Sequence, residues 1–369
     1  MNRHLLSMND LSREEIESLL ATARVDFLDL SKRDIKKVPT LRGRTVIDLF
    51  YEKSTRTSTS FELAGKRLSA DVINVKADSS AVGKGESLKD TVLTLSAYRP
   101  DIIVIRHPHV GAAAFVARYT DAGLKDPGFG AGSRGAHVIN AGDGQGEHPT
   151  QCLLDIFSLQ QEYGELDGLR VAIVGDILHS RVARSNIIGF QKLGMKVTLV
   201  APPSLLPRGV EALAASGQGA DRLGDGMRGA ELRVAHSLDA LADVGVIYLL
   251  RMQKERHEGG NFLPSLREYI ARYQVGLKHL GGGQKVLHPG PINRGIEISA
   301  ELADSQENLI LQQVEAGLAV RMAIMYRLIV DSAVASSGKA AAAGAGAAAE
   351  SEPSAAKPDA EVKNIHAVG

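Results

Sequence analysis

The sequence predicts an α/β protein made of two doubly wound parallel-sheet domains. Short β-branched runs alternate with helix-spaced stretches over residues 45–139, and again over 171–287. Parallel strands joined by crossover helices leave that pattern. Charged and hydroxyl residues recur just after the apolar runs. Ligands of parallel sheets gather at those carboxyl ends. The 369 residues are enough for two ordinary domains.

The elements read in order as follows. Ser12-Arg13-Glu14-Glu15 is a capping-box pattern, and Ile16, Leu19, Leu20 and Ala23 continue it at helical spacing. Thr45 to Phe50 is a buried strand, followed by a helix carrying Phe61, Ala64 and Leu68 on one face. Asp71 to Val75 is a strand, and Lys76 to Glu86 a Ser/Gly-rich loop. Leu88, Val92 and Leu95 mark a helix, Asp101 to Ile105 a strand, and Gly111 to Tyr119 a helix. The glycine-rich stretch 121–135 reads as an exposed, mobile connection before a strand at Ala136 to Ile139. Pro149 suits the first position of a helix containing Leu153, Leu154 and Phe157.

A second series follows, so the two α/β units join near residue 148. Its strands are 171–174, 197–200, 246–249 and 285–287, with a helix from Arg181 to Leu193. Ser305 to Val330 is a long helix with Leu311, Val314, Leu318 and Met322 along one side. Beyond Ser332 the composition turns to Ala, Gly, Ser, Pro, Lys and Glu, and no apolar stripe remains to dock it. Residues 334–369 are therefore expected to be a disordered tail.

Composition narrows the function. Lys+Arg and Asp+Glu both number 43, so no basic field exists for nucleic acid. The lone Cys152 cannot form an internal disulfide, which fits a reducing compartment. His107-Pro108-His109 is a close His pair without a third ligand, so no metal is expected. No apolar run approaches the ~20 residues that span a bilayer, and Met1 to Asp10 has no apolar signal core. A soluble, cytoplasmic protein without membrane contact is expected.

The densest polar stretch is Ser54-Thr55-Arg56-Thr57, at the turn from a strand into a helix. Free backbone N–H groups and the positive dipole end meet there, with three hydroxyls and a guanidinium added. A Ser/Thr pair usually caps its helix, but four donors in succession suit a phosphate. Further strand ends deliver Arg106 and His107, then His148 with Gln151 one turn on, then Asp176, His179, Ser180 and Arg181. Two more deliver Arg251 to Arg256 and His288-Pro289-Gly290-Pro291. Each alone has an ordinary explanation as a solvated Arg, a structural His or a turn. Recurrence at six strand ends argues for one site. Val171 to Asp176 begins like a dinucleotide site, but G-x-G-x-x-G is absent, and so is a P-loop.

At this point the chain resembles the catalytic chains of the aspartate carbamoyltransferases, in the aspartate/ornithine carbamoyltransferase superfamily. The resemblance covers nearly all of residues 3–330. It rests on Ser54-Thr55-Arg56-Thr57, Gly83-Lys84-Gly85-Glu86-Ser87, Arg106-His107-Pro108, His148-Pro149-Thr150-Gln151, Arg251-Met252-Gln253-Lys254-Glu255-Arg256 and His288-Pro289-Gly290-Pro291. Their order and spacing together are highly specific. The resemblance implies carbamoyl transfer from carbamoyl phosphate to L-aspartate in pyrimidine synthesis, with no metal or organic cofactor.

Its implied domains are 1–148 plus 306–333 for carbamoyl phosphate and 149–305 for aspartate. The C-terminal helix then packs back on the first domain. Ser54, Thr55, Arg56 and Thr57 are implied to hold phosphate, and Arg106, His148 and Thr57 to meet the carbonyl oxygen. Gln151 is implied to take the carbamoyl amide, while Arg181, Arg251 and Gln253 take aspartate. Ser80 and Lys84 are implied to cross from an adjacent subunit, making a homotrimer the minimum active form. Gly290 and Pro291 are implied to border carbamoyl phosphate, and Gly290 aspartate as well. Gly290 departs from members with a bulkier residue there. A regulatory chain or a dihydroorotase is a further partner the resemblance allows.

Two rivals remain. An ornithine carbamoyltransferase needs a carboxylate for the side-chain ammonium, whereas Arg251, Gln253 and Arg256 favour a dicarboxylate. A silent scaffold subunit should have lost phosphate or carbonyl contacts, and this chain has them all.

Overall fold

The computed structural model describes residues 2–76, 85–122, 135–210, 231–252 and 265–349. Residues up to Ile329 form one compact unit containing both sheets, and 330–349 belong to a second.

The first sheet contains β1 (Thr45–Phe50), β2 (Asp71–Lys76), β3 (Ile102–His107) and β4 (His137–Asp143). Their order is β2-β1-β3-β4, all parallel. Helices α1 (Arg13–Thr22), α2 (Thr55–Arg67), α3 (Leu88–Ala97) and α4 (Ala112–Ala122) precede and connect them. Alternation along β1 divides its side chains between two layers. Val46 and Phe50 join Phe61, Ala64 and Leu68 of the α2 segment. Ile47 and Leu49 join Val92 of α3 and Val116 of α4. The capping box forms at α1, where the Ser12 hydroxyl accepts from Glu15 N and the Glu15 carboxylate from Ser12 N.

The second sheet contains β5 (Arg170–Val174), β6 (Lys196–Val200), β7 (Leu232–Ala235), β8 (Val246–Leu249) and β9 (Lys285–Leu287). Their order is β7-β6-β5-β8-β9, again all parallel. Helix α5 (Pro149–Tyr163) leads from the first sheet to the second, and α6 (Arg181–Lys192) connects β5 to β6. Helices α7 (Leu266–Tyr273), α8 (Ala300–Ala303) and α9 (Ile310–Ala349) complete the described chain. The sequence reading passed over β7 and α7. The strand is a four-residue edge with Arg233 exposed, too short and too polar to show a period.

Helix α9 returns to the first sheet, as expected. The Arg321 guanidinium donates to the Ser60 hydroxyl and lies over the Phe61 ring, both on α2. Arg327 donates to Ser18 on α1, and Tyr326 meets Phe27 edge-on. The helix then runs to Ala349, so the disorder expected from residue 334 is corrected over 334–349. Alanine is the strongest helix former and an established helix extends at low cost, which carries it past Gly344 and Gly346. Residues 350–369, and 123–134 of the glycine-rich connection, lie outside the described residues. No helix among the described residues is long and apolar enough to cross a membrane.

Candidate active site

A parallel sheet opens a crevice where its strand order reverses. In the first sheet the reversal lies between β1 and β3, whose ends carry Ser54 to Thr57 and Arg106. In the second it lies between β5 and β8, whose ends carry Arg181 and Arg251. All of these line one cavity of about 700 Å³. His148 and Gln151 from the start of α5, and Gly290 and Pro291 after β9, line it too. The convergence that sequence could only assume is therefore present for eleven lining residues, from Ser54 round to Pro291. Ser80, Lys84 and Gln253 lie outside the described residues.

The start of α2 is open. Ser54 is its N-cap residue but makes no side-chain capping bond, so ordinary capping does not explain the hydroxyl cluster. The first backbone N–H groups and the dipole end remain available to an anion. Burial lowers the Arg56 pKa, and the Arg251 charge lowers it further. Two cations held this close suit a ligand of negative charge. Among the described residues the cavity is lined by Lys53, Arg56, Arg106, Arg181 and Arg251 against a single carboxylate, Glu52.

Glu52 is the residue that the sequence reading missed. Its Oε2 accepts from Arg181 Nη2 at 2.7 Å and pairs with Arg106 Nε at 3.1 Å. One carboxylate thus ties an arginine of each sheet. Backbone carbonyls steady the same two guanidiniums: Arg106 donates to Ala141 O and Arg181 to Gly144 O, each at 3.2 Å. Gly142 has φ +117, and a Cβ there would stand 2.8 Å from Arg181 Nε. Glycine is what lets the arginine lie across the backbone.

His148 is 3% exposed. Burial, then Arg106, Arg181 and Arg321, hold its pKa well below 6.5, so the imidazole is neutral. Its Nδ1 faces the Thr150 hydroxyl at 3.3 Å, and the backbone N–H of His148 donates to Ser185 Oγ at 2.8 Å. Gln151 Nε2 donates to the buried Asp155 at 2.9 Å.

After β9 the chain is held by a second buried histidine. His288 Nδ1 accepts from Gly290 N at 2.7 Å, and its Nε2 meets Glu297 at 3.2 Å. Glu297 also accepts from Asn293 N. Gly290 has φ +62, and the Arg56 guanidinium fills the place of its missing side chain: a Cβ would fall 1.4 Å from Nη1. The departure at 290 therefore has a physical reason, since Arg56 needs that space.

Comparisons with known proteins bear on the family of the chain. Residues 3–161 match the family model for the aspartate/ornithine carbamoyltransferase carbamoyl-P binding domain. Residues 167–328 match that for the Asp/Orn binding domain. The aspartate carbamoyltransferase catalytic subunit of Mycobacterium bovis is 49% identical over 332 residues, covering 89% of this chain and 96% of that subunit. The catalytic subunit of M. jannaschii aspartate transcarbamoylase superposes with a TM-score of 0.72 at 34% identity, over 89% of this chain and 99% of that one. Trypanosoma cruzi aspartate transcarbamoylase, in complex with N-(phosphonacetyl)-L-aspartic acid, gives 0.73 at 29% identity, over 88% and 94%.

Proposed function

From the premise that this chain belongs to the aspartate/ornithine carbamoyltransferase family, we propose how its site works. The chain transfers the carbamoyl group of carbamoyl phosphate to the amino group of L-aspartate, giving N-carbamoyl-L-aspartate and phosphate. This is a step of pyrimidine biosynthesis. The observation that carries the reading is the excess of cations in one cavity entered by a helix N-terminus. A phosphate and a dicarboxylate bring matching negative charge.

In our assignment the α2 start, with Ser54, Thr55, Arg56 and Thr57, holds the phosphate. Arg106, His148 and Thr57 surround the carbonyl oxygen. The amine attacks the carbonyl carbon and negative charge grows on that oxygen, where fixed donors lower the barrier. A neutral His148 with Thr150 donating to Nδ1 keeps its proton on Nε2 and serves as one such donor. Phosphate departs into the helix start, and it is the acceptor we assign to the amine's proton. Arg181 and Arg251, with Gln253 and Lys84, hold aspartate, while Gly290 and Pro291 border the substrates. We divide the chain at 1–148 plus 306–333 and 149–305 for the two substrates. The single buried Cys152 suits a reducing cytoplasm.

Ornithine is the competing acceptor. Glu52, the one carboxylate lining the cavity among the described residues, is engaged by two arginines, which disfavours an ammonium there. Purified protein given labelled carbamoyl phosphate is expected to carbamoylate aspartate and leave ornithine untouched. Turnover of ornithine alone would overturn the assignment.

We also assign a homotrimer, in which Ser80 and Lys84 of one chain complete a neighbour's site. In support, β2 is an edge strand leading towards those residues, and its Ile73 is 50% exposed. An exposed apolar edge invites another chain. Mixing Lys84→Ala chains with Arg56→Ala chains is expected to restore part of the activity that each lacks alone. Absence of recovery in verified mixed oligomers would count against shared sites.

A further inference from the structure

Behind the cavity wall lies a buried carboxylate that the mechanism above does not use. Asp155 is on α5 with no solvent exposure. Its Oδ1 accepts from Gln151 Nε2 at 2.9 Å and Gln313 Nε2 at 2.7 Å. Its Oδ2 accepts from Tyr248 OH at 2.7 Å and Asn186 Nδ2 at 3.0 Å. The four donors come from α5, α9, β8 and α6.

We propose that Asp155 is a positioning residue that turns the Gln151 carbonyl oxygen to the cavity, where it selects a carbamoyl over an acyl group. This rests on the function proposed above. An ionised carboxylate only accepts, so each neighbour must show it a donor. Gln151 must therefore give Asp155 its NH2, which leaves its oxygen for the cavity that it lines. The far side of the network imposes the same order. The backbone N–H of His288 can only donate, and it donates to Gln313 Oε1 at 3.0 Å. That places the Gln313 NH2 on Asp155. The loop after β9 and the amide of Gln151 are thus fixed through one buried anion.

An inward-facing acceptor recognises N–H groups. The carbamoyl nitrogen of carbamoyl phosphate offers two, while acetyl phosphate has a methyl in that place and offers none. Asparagine at 155 lacks the acceptor capacity for four donors, so Gln151 loses its fixed orientation.

The test measures the KM for carbamoyl phosphate and the inhibition constant of acetyl phosphate against it, in the full-length protein. Asp155→Asn is expected to raise the former tenfold or more and to leave the latter within twofold. A parallel rise in both, or no change in either, overturns the proposal, because a merely structural role would move both together. Should Asp155→Asn fail to fold, Gln151→Met carries the test: the ratio of its inhibition constant for acetyl phosphate to its KM for carbamoyl phosphate must fall by the same factor, and an unchanged ratio overturns the proposal. A wild-type protein that does not turn over carbamoyl phosphate would instead refute the underlying function, which keeps the two failures apart.

Discussion

Replacing Arg56 by alanine is expected to cut kcat/KM for carbamoyl phosphate by about 10²–10³, the usual cost of deleting one donor at a developing charge. The loss arises at the leaving group. Phosphate gains negative charge as the C–O bond breaks, and a fixed guanidinium at a helix N-terminus stabilises it more than it stabilises the bound ester. Stability is expected to move the other way, or not at all. Arg56 donates no hydrogen bond to a described residue, and its nearest charged influence is the repulsive Arg251. Removing a cation from a crowded set relieves that repulsion. Steady-state kinetics and a melting curve on the same preparation read both effects. Unimpaired turnover would take Arg56 out of the phosphate site, whereas a fall in activity matched by unfolding would make its role structural.

The second large effect concerns Asp48, in the middle of β1. It is 1% exposed, and neither carboxylate oxygen has a hydrogen-bond partner among the described residues. Burial, then the charge of Glu62, raises its pKa from the ordinary 3.8 to about 8. The folded protein therefore holds a proton there that the unfolded chain releases. The resulting stability is fully present below the unfolded pKa and is lost as pH rises through the folded one. At about 1.4 kcal/mol per unit, roughly 6 kcal/mol is lost between those limits. Asp48→Asn carries no charge in either state. It is expected to flatten the stability–pH curve between pH 5 and 8 and to raise the melting temperature at pH 8 by about 5–10 °C. Denaturant unfolding of both proteins at pH 5, 6.5 and 8 is the measurement. Parallel curves would mean that Asp48 is ionised and paired in the folded protein.

Much of this molecule is written locally. Strand β1 and the Ser54-Thr55-Arg56-Thr57 turn are contiguous in sequence, so the apolar run, the helix spacing and the donors can be read together. Pro149 marks the start of α5, and Gln151 follows His148 by less than a turn. The parts that escaped depend on distance. Glu52 sits two residues before Ser54, but its meaning comes from Arg181, which the chain brings to it from the other sheet. Gln313 and Arg321 reach the site's hidden side from α9, and no periodicity announces that return. Asp155 did leave a signal: a carboxylate among Leu153, Leu154, Ile156 and Phe157, where a charge needs partners to be tolerated. Sheet order was out of reach because β-branched runs do not encode which neighbour they pair with. The helical stretch 334–349 was misread because composition was weighed there without the helix that leads into it.

Gly290 and Arg56 contend for the same parcel of space. Any side chain at 290 would have to displace the guanidinium and would carry the strain of the positive φ besides. Moving Arg56 would vacate room beside the segment after His288, so the α2 wall and the wall after β9 are coupled through that one contact.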